Sequence, residues 1–269
     1  MSLQVYIPSR SRFDRSLTLE ALQGVNWPEV YLVVPLKQVP QYKALAARMK
    51  VKLLGCAKDG ISLTRQFIGQ HARDKFLMLD DDLRFFHRPR FISAPQGNVP
   101  NEKAQLFKND PTQMRQMLIM VEKRLDSYVH VAISARQGNN QLPWPMEVNN
   151  RPLRALAYRK AAFLGCKHGR TQIMEDFDVT LQLIGKGHSN AIITCFAQDQ
   201  QQTQLPGGCS DYRTHELHET NVKKLAQLHA PFVTVRSKSN KTGGEFGTRT
   251  EATIYWKKLH ASVIKESIG

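Results

Sequence analysis

The sequence predicts an α/β fold, a mostly parallel central sheet flanked by helices, and three observations carry that prediction. Short β-branched apolar runs recur along the first third of the chain, helical stretches separate them, and each run stops at a polar or turn-forming segment. Leu3 to Pro8 reads as the first strand and ends at Pro8-Ser9-Arg10. Val30 to Val34 is the second, continuous enough to be buried on both faces, and stops at Pro35. Gln41 to Met49 reads as a helix and Val51 to Leu54 as a third strand, so the chain opens as βαβαβ. The next helix covers Gly60 to Arg73, with Ser62 as its N-cap and Ile61, Phe67, Ile68 and Ala72 roughly on one face. It feeds the apolar strand Lys75 to Leu79, which runs directly into Asp80-Asp81-Asp82.

Beyond the aspartates, residues 93–109 are polar and rich in turn formers, and a loop of that length inside a domain reads as a lid or an acceptor loop. Pro111 opens an amphipathic helix with Met114, Met117, Leu118, Val121 and Leu125 at helical spacing, the methionines as packing. Val129 to Ser134 is a strand, and 138–152 is irregular. Glu175 to Ile184 reads as a helix closed by Gly185 and Gly187, followed by a strand at Ala191 to Ala197. Glu216 to His229 is a helix stopped by Pro231, before a strand at Phe232 to Val235 and a basic, glycine-containing loop at Ser237 to Gly247.

The 269 residues suffice for one large domain with its own core. Cys56, Cys166, Cys195 and Cys209 never form a close pair, which argues against a zinc ribbon or a redox CxxC and for reduced thiols. The amino terminus reads straight into a strand without a signal-peptide pattern, and no apolar run reaches the roughly 18 residues of a membrane span, so a cytoplasmic protein is expected. Lys and Arg number 38 against 23 Asp and Glu, a formal charge of +15. Such an excess favours a polyanionic partner, although a solubilising surface has the same composition. It is uneven: Val148 to Met174 holds six basic residues and no acid.

The chemistry concentrates at two acidic clusters. An apolar strand ending in three aspartates delivers carboxylates to the carboxyl edge of a sheet, where open α/β folds bind ligands. Adjacent carboxylates repel one another and call for a cation, with Mg2+ or Mn2+ the oxygen-preferring choice. A solvated turn is the plainer alternative. Met174-Glu175-Asp176-Phe177-Asp178 opens a helix, where acids either complement the helix dipole or serve as a general base.

The strand end Ile7-Pro8-Ser9-Arg10, the helix start Gly60-Ile61-Ser62-Leu63-Thr64-Arg65 and Leu79-Asp80-Asp81-Asp82 together resemble the nucleotide-sugar half of the GT-A glycosyltransferases, a Rossmann-like fold. With the Glu175-Asp176 helix and Gly207-Gly208-Cys209-Ser210-Asp211-Tyr212-Arg213, most of the chain looks most like the TET-associated glycosyltransferases, which include bacteriophage enzymes that decorate DNA. The resemblance implies one domain over 1–269, with a nucleotide-sugar-binding half at 1–92, an acceptor half at 93–235 and a basic C-terminal segment at 236–269. It implies donor contacts from Pro8, Ser9, Arg10, Arg12, Gly60, Arg65, Asp80 and Asp81, with Asp82 and Asp80 on a divalent metal and His215 or His218 completing its shell. Asp176, then Glu175, would take the acceptor's proton. The donor would be a nucleotide sugar, UDP-sugar by superfamily habit, and the acceptor a hydroxymethylated pyrimidine in DNA. Arg136, Arg151, Arg154 and Arg213 are then candidates for phosphate contacts. Other readings remain open: the same donor with a glycan or lipid acceptor, a metal-dependent nuclease or nucleotidyltransferase, or a non-catalytic nucleic-acid-binding module.

Overall fold

The computed structural model describes residues 2–89, 106–136, 144–200, 214–239 and 248–268. Its first part alternates strand and helix: β1 (Gln4–Pro8), α1 (Leu17–Leu22), β2 (Val30–Pro35), α2 (Val39–Met49), β3 (Lys52–Cys56), α3 (Ile61–His71) and β4 (Lys75–Leu79). Then come β5 (Leu83–His87), β6 (Phe107–Lys108), α4 (Pro111–Arg124), β7 (His130–Ala135), β8 (Met146–Val148), β9 (Ala155–Arg159) and α5 (Lys160–Leu164). The chain continues through α6 (Glu175–Gly185), β10 (Asn190–Gln200), α7 (His215–Leu228), β11 (Val233–Ser239), β12 (Thr248–Ile254) and α8 (Trp256–Ile268).

Ten strands form one sheet in the order β3-β2-β1-β4-β9-β7-β10-β5-β6, with β8 also on β10. The β3-β2-β1-β4 half is parallel, as is β7 with β10. Between them β9 runs antiparallel to both β4 and β7, and β5, β6 and β8 add antiparallel pairs beside β10. Successive residues of a strand point to opposite faces, and at β1 and β4 both faces are covered. Leu3, Val5 and Ile7 join one core with α1, α2 and α4, while Tyr6 joins another with α3, α5 and α6. The same alternation separates Leu77 and Leu79 from Phe76 and Met78.

Several elements lie outside what the sequence predicts. α1, β5, β8, β9 and α5 fall in stretches read as loops or left without an assignment. Ser62 does not cap α3; that place is taken by Gly60 at φ +80°, and Ser62, one residue inside the helix, accepts from the Gly169 N–H at 3.2 Å. Of residues 93–109, only the end is described, and there Phe107–Lys108 extend the sheet beside β5. In the 236–269 segment, β11 runs on to Ser239 and pairs with β12, and α8 sends Trp256 and Leu259 into a third core with Phe177, Leu181 and Ile184 of α6. Cys56, Cys166 and Cys195 are buried and free; Cys209 lies outside the described residues. Among the described residues no helix is long and apolar enough to cross a membrane.

One buried titratable group lies in the middle of the sheet. His130, fully buried on β7, stacks on Tyr158 at 4.3 Å and has Nδ1 3.0 Å from the Ala157 carbonyl and Nε2 3.1 Å from Thr180 Oγ1. A carbonyl only accepts, so Nδ1 carries the proton of a neutral ring. Burial pushes this imidazole down to about 4, with the Ala157 contact opposing it weakly. A histidine that titrates lower folded than unfolded stabilises the fold fully above its ordinary pKa near 6.5, and that stability is lost as pH falls towards 4. A shift of that size corresponds to about 3 kcal/mol. The melting temperature should therefore fall as pH drops from 6.5 to 4, with a shallower slope in His130→Phe; equal slopes would assign the acid sensitivity elsewhere.

Candidate active site

The strand order creates the site. From β1 the chain moves outward to β2 and β3, then returns to place β4 on the other side of β1. The loops leaving β1 and β4 therefore diverge at the carboxyl edge, and an open α/β sheet binds ligands at such a switch point. Ser9 to Arg12 leave one strand there and Asp80 to Asp82 the other.

The three carboxylates differ in their surroundings, although Asp81 and Asp82 share Arg12. Asp81 turns inward, where Ser9 Oγ donates to Oδ2 at 2.5 Å, Arg12 binds Oδ1, and the main-chain carbonyl accepts from Ser16 Oγ at 2.8 Å. Ser9 Oγ also lies 2.9 Å from the Tyr42 hydroxyl. Burial pushes the Asp81 carboxyl up to about 6, against the pull of Arg12 and Ser9. Asp81 is thus the post that ties the loop after β1 to the loop after β4. Asp80 is held by its own backbone, its N–H donating to the Arg154 carbonyl at 3.2 Å and its carbonyl accepting from Thr18 Oγ1 at 2.5 Å. Its Oδ1 meets Arg65 Nη2 at 3.1 Å. Burial raises this carboxyl, and the Arg65 charge opposes the rise. Asp82 Oδ2 accepts from Gln200 Nε2 at 3.0 Å and lies 3.1 Å from Arg12 Nη1, whereas Oδ1 is buried without a hydrogen-bond partner.

Arg65 joins the two acidic clusters. Besides Asp80 it holds Glu175 Oε1 with Nη1 at 2.6 Å, and both side chains are nearly enclosed, at 8% and 11% exposure. Its position depends on how closely α3 packs: a Cβ on Gly69, one turn further along, would lie 2.4 Å from Phe163 of α5. Burial works against the Arg65 cation, but Glu175 and Asp80 outweigh it and the guanidinium is held firmly charged. For Glu175 burial works the other way and raises the carboxyl in spite of Arg65. The 2.6 Å contact to a permanent cation favours an ionised Glu175.

Met174, in the left-handed region at φ +64°, turns the chain into α6, whose first turn carries Glu175, Asp176 and Asp178. Three acids at a helix N-terminus favour the dipole, and their partners separate their roles. Asp178 is buried and bound by Arg170 and by His229 Nε2 at 2.7 Å, so it anchors structure. Asp176 is only partly buried, and Oδ1 accepts from the Phe177 N–H at 3.0 Å.

The other candidates are more scattered. Pro8 closes β1, and Arg10 pairs with exposed Asp59 at 2.6 Å beside Gly60. His215 opens α7, and His218 Nε2 lies 2.9 Å from the Thr250 carbonyl of β12; among the described residues neither joins a group of three metal-ligating side chains. Arg136 packs over Phe86 and Arg151 over Phe177. Arg154 sits opposite Asp80 with φ +60° and a buried, unpartnered Nη1. Arg213 and the glycine-containing stretch before it lie outside the described residues. Sequence reading missed Gln200, Ser16, Thr18 and Tyr42, all of which touch the aspartate turn or its supports. They lie far away along the chain, and no local pattern marks them.

No curated protein matches the sequence. Solved structures match at a distance. The CMP:2-keto-3-deoxy-manno-octonic acid synthetase complexed with CTP has a TM-score of 0.41 and 11% identity over 72% of this chain and 90% of its own. A nucleotidyl transferase from Methanothermobacter thermautotroptrophicus has a TM-score of 0.41 and 10% identity over 85% and 96%. The inositol-1-phosphate CTP transferase from T. maritima has a TM-score of 0.40 and 7% identity over 84% and 97%. Likenesses this distant say nothing about what this chain binds. A family model does match, across residues 3–208, which include the loops after β1 and β4 and the start of α6. The chain belongs to the TET-associated glycosyltransferases.

Proposed function

We propose that the chain transfers a sugar from a nucleotide sugar, with UDP-sugar the first donor to try, to the hydroxymethyl group of a modified pyrimidine in DNA. The observation that carries this reading is Arg65, whose guanidinium spans Asp80 at the end of β4 and Glu175 at the start of α6. It ties Asp80, a candidate donor contact, to Glu175, the neighbour of the candidate base Asp176. The donor would lie over the ends of β1 and β4, against Ser9, Arg10, Arg12 and Asp80. Arg154, with a buried guanidinium nitrogen that has no partner, adds a cation beside Asp80 for the diphosphate.

Asp176 acts as the base, because Glu175 is committed to Arg65 while Asp176 is the more open of the two. The hydroxymethyl oxygen gives its proton to Asp176 and forms a bond to the anomeric carbon. The bond from that carbon to the diphosphate oxygen breaks, and nucleoside diphosphate leaves with the electron pair. Mg2+ or Mn2+ fits the aspartate turn: Asp82 has a buried oxygen without a partner, and a hard cation needs only one or two protein carboxylates when phosphates and water supply the rest. Asp82, with Asp80 beside it, would hold such an ion, which would neutralise charge on the departing diphosphate.

Asp82→Asn tests the donor half. Donor turnover, read as release of nucleoside diphosphate from a panel of nucleotide sugars, should fall by about 100-fold or more. Unchanged turnover would remove Asp82 from the site.

A further inference from the structure

At the far end of the sheet, beyond Asp82, one face of four neighbouring strands carries a strip of cations around an aromatic ring. The registers define it. Phe86 pairs with Lys108 on one side and with Ala197 on the other, and Ala197 pairs in turn with Ser134. In the next row, Arg84 pairs with Asp199. Arg136 follows β7 on the same face: its guanidinium lies 4.6 Å from the centre of the Phe86 ring and 3.2 Å from Asp199. Leu83 and Phe85 alternate to the opposite face and are buried in the core. Arg84, Lys108 and Arg136 are exposed, and neither Arg84 nor Lys108 forms an ion pair among the described residues. Asp199 is the one acid in the two rows, so the strip is net positive.

The strip begins at the acidic site. Arg84 is two residues after Asp82, and the row of Phe86 and Lys108 two residues further, so at about 3.3 Å per residue it runs some 13 Å from Asp82. That length is about four steps of 3.4 Å along a nucleic-acid strand. Cations spaced around a half-buried aromatic ring suit a strand, phosphates on the cations and a base beside the ring.

We propose that this face of β5, β6, β10 and the end of β7, through Arg84, Phe86, Lys108 and Arg136, holds the DNA strand that leads to the acid cluster. The proposal rests on the DNA-acceptor reading above and places its acceptor. The occupant follows from charge complementarity and from continuity with Asp82, not from composition alone.

The test uses the full chain and a fluorescent hydroxymethylated single-stranded oligonucleotide, with binding followed by anisotropy from 50 to 300 mM salt. Arg84→Ala/Lys108→Ala removes two phosphate contacts. The slope of log affinity against log salt should then become shallower by roughly 1.5, with affinity lower by roughly 10- to 100-fold at 0.1 M salt. Phe86→Leu should weaken binding several-fold and leave the salt slope as it was. Lys43→Ala/Lys123→Ala removes equal charge from α2 and α4 and should have little effect. Binding of nucleotide sugar, measured in parallel, should be unchanged in every variant. Equal affinity and slope in wild type and Arg84→Ala/Lys108→Ala would overturn the strip, as would an equal loss in the control variant. If the wild type binds nucleotide sugar but no DNA even at 50 mM salt, the DNA-acceptor reading falls, and the strip with it.

Discussion

Replacing Asp176 with asparagine should lower kcat for transfer by about 10²- to 10⁴-fold, the usual contribution of a positioned proton acceptor. The side chain keeps its shape and its Oδ1 can still accept from the Phe177 N–H, so α6 should start as before. Affinity for the nucleotide sugar, measured by calorimetry without acceptor, should not change, because Arg12, Asp80 and Asp82 remain in place. A loss of donor affinity equal to the loss of rate would assign Asp176 to donor binding. Glu175→Gln separates the two acids. Glu175 touches the guanidinium rather than solvent, so this substitution should act through the position of Arg65 and cost less rate than Asp176→Asn.

Arg65→Met should produce the largest loss of stability. The guanidinium is the cation that binds Glu175 and Asp80, and removing one partner from an enclosed ion pair typically costs about 3–5 kcal/mol, since the remaining charge stays buried. Urea unfolding would read this directly. The companion variant Arg65→Met/Glu175→Gln removes one of the two orphaned charges and should recover part of the loss. A double-mutant cycle with no coupling between the two positions would mean that the bridge contributes nothing to the fold.

How much of this could be read from the sequence depended on range. The β1–β4 half was legible because its strands are continuous apolar runs whose ends carry Ser9, Arg10 and Asp80 to Asp82, and a sheet buried on both faces leaves that pattern. β9 was not, although Ala155 to Tyr158 are buried. It is short, follows the strained Arg154, and lies in a stretch whose six cations drew attention to charge instead. The separate fates of the three aspartates were also hidden. Adjacent carboxylates suggest one cation, yet Asp81 is used up by Ser9 and Arg12, a choice set by packing from a strand some 70 residues earlier. Arg65 was visible as a candidate donor contact; that it reaches Glu175 was not, because the bridge spans α3 and α6.

The most direct test of the central claim is the mass of the nucleosides in DNA after exposure to the protein. Oligonucleotides containing 5-hydroxymethylcytosine or 5-hydroxymethyluracil would be incubated with Mn2+ and a panel of nucleotide sugars, digested and weighed, with Asp176→Asn and unmodified DNA in parallel. A gain of one sugar on the hydroxymethylated nucleoside, absent from unmodified DNA and strongly reduced in the variant, is the predicted result. Nucleotide sugar consumed with no mass gain on any DNA would contradict the DNA acceptor, and a gain undiminished in Asp176→Asn would contradict the assignment of the base.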